Sequence, residues 1–172
     1  AVHADCVRAE GYGRSDPRSC VFYARRVVEQ LVGLVYEIER LALPYKADLA
    51  TRIGDPAFQQ VAGPEVASKA NVIRRVGNVG VHENRPIAES TALNVLRELH
   101  HVVVWVASHY STHPDGVPGR AAFDPSVIPA PRRTNLDTST LSALNPPAAV
   151  PFGNFLGTSD TDPRFGEGGV ER

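Results

Sequence analysis

Methionine is missing from all 172 residues, position 1 included, which leads us to expect a piece of a longer protein. Cysteine is almost as scarce. Cys6 and Cys20 are too few for a disulfide framework, and no charged leader with an apolar core precedes them, so a reducing, cytoplasmic setting is expected. Long hydrophobic runs are lacking too. The most apolar stretch, around Val102 to Ala107, is far shorter than the roughly 20 residues that a spanning helix needs, which argues against a membrane partner. Charge of one sign is also in short supply: a net charge of −1 exerts no global pull on nucleic acid, so any such surface must be local. The chain has no phosphate-cradling glycine loop and no nucleophile elbow, which removes nucleotide-motor and conventional hydrolase chemistry and leaves nothing that calls for a cofactor.

What remains, 42% hydrophobic and 22% charged residues, is the composition of a globular domain of ordinary size. Helical signals dominate it. Ala1 to Glu10 reads as a short helix ended by Gly11-Tyr12-Gly13. Asp16 before Pro17 is a strong helix start, because the carboxylate can cap free N–H groups and proline at the first position loses nothing. From there to about Arg40, Val21, Ala24, Val28, Leu31, Val35 and Ile38 repeat at three and four residues, the stripe of a bundle helix. A shorter helix is expected over Tyr45 to Ile53, and a brief turn from Asp55 through Gln60. Gly63-Pro64 then starts a helix reaching His82, and a last long helix covers Ile87 to Tyr110. Its VVVWVA run predicts burial on more than one side.

From His113 onward the composition changes, since nine of the 14 prolines lie there and no useful periodicity survives. We read residues 1–112 as an all-α helical bundle and residues 113–172 as a Pro/Gly-rich linker or tail. Phe123-Asp124-Pro125 and Val127-Ile128-Pro129 are nonetheless apolar enough to lie against the bundle.

The stretch Asn71 to His82, NVIRRVGNVGVH, organises the rest. Glycine in a helix interior costs about 1 kcal/mol relative to alanine, so Gly77 and Gly80 predict the close approach of another helix. Arg74, Asn78 and His82 fall at i, i+4 and i+8, which stacks them as a polar ridge. Arginine offers a fixed fork for phosphate, asparagine donates and accepts, and histidine can move a proton near neutral pH. Such a set could hold or cleave RNA. It could equally lock the helix by hydrogen bonds to loop backbone, the commoner use of half-buried polar groups. Arg25 and Arg26 could extend a basic patch or pair with Glu29, the better fit to their spacing. His109 and His113 have metal-pair spacing but straddle a helix end without an acidic or cysteine partner, so no metal site is assigned.

Three blocks in order, DPRSCVFYARRVVEQLVGLVYE, LPYKADLATRIGDPAFQQVAG and KANVIRRVGNVGVHENRPI, followed by the long aromatic-containing helix, resemble a known accessory domain. It is found at the N-terminus of type I restriction enzyme R subunits and related DEAD/DEAH-box helicase proteins, and is similar to the HEPN superfamily. The resemblance spans about residues 1–130. It implies a HEPN-like bundle in a prokaryotic DNA-defence protein, with Asn78 and His82 as signature positions. Many HEPN ribonucleases use an arginine, four to six intervening residues and a histidine, with a polar residue after the arginine. Arg75 and His82 meet the upper limit of that spacing, but Val76 is apolar. The expected role is therefore a noncatalytic accessory domain for assembly or nucleic-acid contact, with a homodimer or other subunits of a restriction or helicase complex as partners. A ribonuclease using Arg75 and His82, and a purely structural dimerisation module, are the alternatives.

Overall fold

Among the described residues five α-helices follow in chain order: α1 (Val2–Tyr12), α2 (Pro17–Ile38), α3 (Leu49–Gly54), α4 (Pro56–His82) and α5 (Glu89–Tyr110). The computed structural model describes residues 1–82, 86–112 and 122–131, apart from the side chains of residues 81 and 82. Among the described residues there is no strand, and the all-α bundle expected from the periodicity is what forms. No helix among them is long and apolar enough to cross a membrane.

The centre of the bundle is α2, which packs against α1, α4 and α5. Asp16 caps it as expected, its carboxylate accepting from the Ser19 N–H, with Pro17 at the first position. The stripe of valines and Leu31 is buried, but so are Val27, Val32 and Tyr36, whereas Ile38 is exposed. A helix with neighbours on several sides needs more than one apolar stripe, so the seam read from periodicity is only part of what it buries. Its C-terminal end is closed by a Schellman motif: the Leu41 N–H donates to the Tyr36 carbonyl and the Arg40 N–H to the Glu37 carbonyl. Arg40 takes the left-handed conformation (φ 53°) that glycine usually fills there.

Helix α3 corrects the expectation of a helix beginning at Tyr45. Tyr45 is fully exposed, and the start falls at Asp48, which accepts from both the backbone N–H and the hydroxyl of Thr51. The N-cap outcompetes the weak periodicity before it. After Asp55-Pro56, α4 runs with one kink at Gly63, whose φ of 77° and ψ of 158° only glycine adopts easily, so that Pro64 opens the second segment. The first segment anchors α4 through Phe58. Its ring is buried and stacks on Tyr36 at 6.0 Å, a burial that contributes about 1.5–3 kcal/mol. The Tyr36 hydroxyl beside it lies 2.9 Å from Asp55 Oδ2 and 3.0 Å from the Arg52 carbonyl, so its one proton has two acceptors to choose from.

Helix α5 buries Ala92, Val95, Leu96, Leu99, Val102 and Val106, and half-buries Val103, Trp105 and Tyr110. The buried residues share one face, and off it Val104 and Trp105 are only half-buried, so the burial on more than one side expected from the VVVWVA run is partial. Residues 122–131, which composition groups with the tail, belong to the same compact unit as the helices. Ile128 is buried on Gly13 and Leu96, and Phe123 sits 6.0 Å from the His100 ring. Arg14 holds this strap: its guanidinium donates to the Ile128 carbonyl (3.2 Å), the Pro125 carbonyl (3.0 Å) and Glu89 (2.6 Å). The remaining residues from His113 onward lie outside the described set, as does the histidine pair's second member.

Candidate functional site on the second half of helix α4

The two glycines do what their cost implies. A Cβ on Gly77 would lie 2.6 Å from Arg25 Cβ and 3.1 Å from the Val21 carbonyl, and one on Gly80 would lie 2.8 Å from Val21 Cγ2. The partner helix is α2, running antiparallel to α4, and the bare glycine backbones let the two approach this closely. Arg18 closes the seam by donating to the Gly80 carbonyl at 3.0 Å. That carbonyl is in the last turn of α4, where carbonyls have no partner within the helix and a cation is favourable. Nothing in the local pattern of α2 marks Arg18 for this, because the contact depends on two helices meeting.

The ridge beside the seam is less concerted than its spacing suggests. Arg74 Nε donates to Asn71 Oδ1 at 3.1 Å, a bond within α4 itself. Arg75 is exposed and forms no ion pair with a described residue. Asn78 is half-buried and makes no side-chain hydrogen bond to a described residue. His82 ends α4, and its side chain lies outside the described residues, as does its geometry relative to Arg75.

The two α2 arginines part company. Arg25 packs under Gly77 and reaches Glu29 at 3.5 Å, while Arg52 of α3 approaches the other oxygen of the same carboxylate at 3.9 Å. The expected pairing with Glu29 therefore forms for Arg25. Arg26 turns instead toward Asp5 of α1 at 3.4 Å. Asp5 is a buried carboxylate and also accepts from Arg8 (3.1 Å) and Gln30 (2.8 Å). Burial alone would raise its pKa, but the Gln30 hydrogen bond together with Arg26 and Arg8 outweighs this and holds it below the usual carboxylate range. The Asp5–Arg8 spacing is visible in the sequence, whereas the Gln30 and Arg26 contacts bridge two helices and are not.

On its outer side α4 forms an open groove with α5, of about 710 Å3, lined among others by Lys69, Val72, Val76, Asn94, Arg97 and Glu98. Lys69 bridges it, 3.0 Å from Glu98 and 3.5 Å from Glu65. The hydrogen bond to Glu98 keeps the Lys69 ammonium above the usual lysine range, so it stays protonated as a fixed cation. Val72 is 45% exposed at the groove wall, and Val76, the residue after Arg75, lines it too. Among the described residues no group of three or more His, Cys, Asp or Glu could hold a metal ion. His109 uses its Nδ1 against the Trp105 carbonyl at 2.8 Å. Burial pushes the thiols of Cys6 and Cys20 up, to about 11 and about 12, so neither is a ready thiolate.

Residues 7–122 match the family described as "Domain of unknown function (DUF4145)". The chain belongs to that family. No curated protein and no solved structure matches it. The DUF4145 region contains Arg25, Arg26, Arg74, Arg75, Asn78 and His82 as well as the glycine seam, and it stops as the strap begins at residue 122.

Proposed function

We propose that this DUF4145 chain is a noncatalytic HEPN-like accessory domain of a type I restriction R subunit or related helicase, and that it serves assembly in prokaryotic DNA defence. The observation that supports the reading is how the candidate cations are used. Of the three candidate arginines around the glycine seam, Arg25 is committed to Glu29 and Arg74 to Asn71, so Arg75 is the one left without a described partner. A ribonuclease needs a concerted set within about 3 Å of the proton it moves and of the phosphate it stabilises. Arg75 is instead followed by Val76, a groove-lining apolar residue where the nuclease pattern wants a polar one. The α4/α5 groove, with its exposed Val72 and bridged charges, has the mixed polarity of a non-obligate contact surface. Its natural occupants are another domain of the parent protein or a second copy.

Labelled single-stranded RNA incubated with wild type and with His82→Ala tests the noncatalytic part. No metal-independent cleavage is expected; cleavage that His82→Ala abolishes would install the ribonuclease reading with Arg75 and His82. Sedimentation tests self-assembly, with a dimer expected at high concentration. An 18.6 kDa monomer at every concentration would restrict assembly to other subunits or domains.

A further inference from the structure

A second surface, built by α1 and α2, has no part in that reading. Three aromatic rings meet there: Tyr12 stacks on Tyr23 with centroids 5.9 Å apart and planes 10° from parallel, and Phe22 meets Tyr23 edge-on at 5.2 Å. Tyr12 and Phe22 are 38% and 36% exposed, so both residues keep surface in solvent although one face of Tyr12 lies on Tyr23 and Arg26 lies over Phe22. Two guanidiniums lie over the cluster. Arg8 Cζ is 5.5 Å from the Tyr23 centroid, and Arg26 Cζ is 5.9 Å from both Phe22 and Tyr23. Their side chains are 53% and 46% exposed, whereas Asp5, which pairs with both, is 3% exposed. The negative charge is therefore beneath the surface and the positive charges are on it. Each guanidinium has five N–H donors, more than its contact with Asp5 employs, and Asp5 fixes its position.

We propose that this face binds single-stranded polynucleotide, with bases stacking on the Tyr12 and Phe22 rings and backbone phosphates held by Arg8 and Arg26. Partly exposed rings beside pre-oriented planar cations match the alternation of base and phosphate along a single strand. A duplex keeps its base faces inside and offers the rings nothing. An acidic protein segment would use the arginines but leave the rings idle. Two phosphate contacts imply a shallow salt dependence, with a log–log slope of about −1.4 at about −0.7 per phosphate.

The test is fluorescence anisotropy of the full 172-residue chain with labelled oligothymidylate, oligouridylate and a DNA duplex of equal length, titrated at several salt concentrations. Binding to either single strand supports the proposal, and the two arms tell DNA from RNA. Tyr12→Leu and Phe22→Leu keep apolar bulk at exposed positions and should each weaken binding about fivefold or more. Arg8→Gln with Arg26→Gln should flatten the salt slope, with thermal unfolding as the check that Asp5 tolerates the change. The proposal is overturned if no single strand binds, if the ring variants bind like wild type, if the duplex binds equally well, or if polyglutamate competes as effectively as an unlabelled oligonucleotide.

Discussion

Substituting Gly77 with alanine adds one methyl group at the point where α4 and α2 are closest. Alanine is the better helix former by about 1 kcal/mol, so in open space the change would stabilise. Here the new Cβ meets Arg25 Cβ at 2.6 Å, Arg25 Cδ at 3.0 Å and the Val21 carbonyl at 3.1 Å. Two of these belong to parts of α2 that cannot rotate away, the Cβ and the backbone oxygen, so relief requires the helices to separate. Overpacking of this kind costs about 1–3 kcal/mol, and against the propensity gain the net effect is a loss of about 0–2 kcal/mol. Gly11→Ala provides the internal reference, since a Cβ there meets nothing within 4 Å in the last turn of α1. It should gain part of the propensity term, which places the two variants up to about 3 kcal/mol apart on opposite sides of wild type. Urea unfolding followed by circular dichroism measures both, and an unchanged m-value would confirm that the folded state is what moved. If Gly77→Ala proves as stable as Gly11→Ala, the close seam between α2 and α4 is not the reason for glycine at position 77.

Arg14→Ala should release the strap, at a cost of about 1–3 kcal/mol, because its guanidinium supports the carbonyls of Pro125 and Ile128. Hydrogen exchange should then quicken at the Val127 and Ile128 amides, and unchanged exchange there would show that Ile128 packing alone holds the segment. For His100, burial is the main reason its pKa lies below the usual histidine value, the neighbouring His101 adding to this and Glu10 opposing it. The unfolded chain therefore binds the proton more readily, so the contribution is complete above about pH 6.5 and is lost as pH falls below that value through the lower pKa of the folded state. Replacing the ring by His100→Leu should flatten the pH dependence of the urea midpoint between about pH 7.5 and about pH 5, and an unaltered slope would refute the assignment.

Much of the bundle was readable because its signals are local. Asp16-Pro17, Gly63-Pro64 and the three-and-four spacing of α2 act through hydrogen bonds and periodicities within a few residues. Tyr45 misled because a flanking apolar residue carries no sign of whether anything packs on it, whereas the Asp48 cap does its work within one turn. The candidate site was less legible. Arg25 and Arg26 are neighbours in sequence, yet about 100° of helical rotation sends one under Gly77 and the other to Asp5.

By itself, then, the sequence determined the fold class, the start of α2, the break at Gly63-Pro64, and the need for a close neighbour at Gly77 and Gly80. These follow from backbone sterics, capping and hydrophobic periodicity, which a short window contains. Only the tertiary structure decided that α2 is that neighbour, that Arg18 caps α4, that Asp5 gathers Arg8, Arg26 and Gln30, and that Arg14 pins a strap more than a hundred residues away. Each of those contacts joins side chains from separate elements, and a single side chain's range of partners is fixed by where the helices cross.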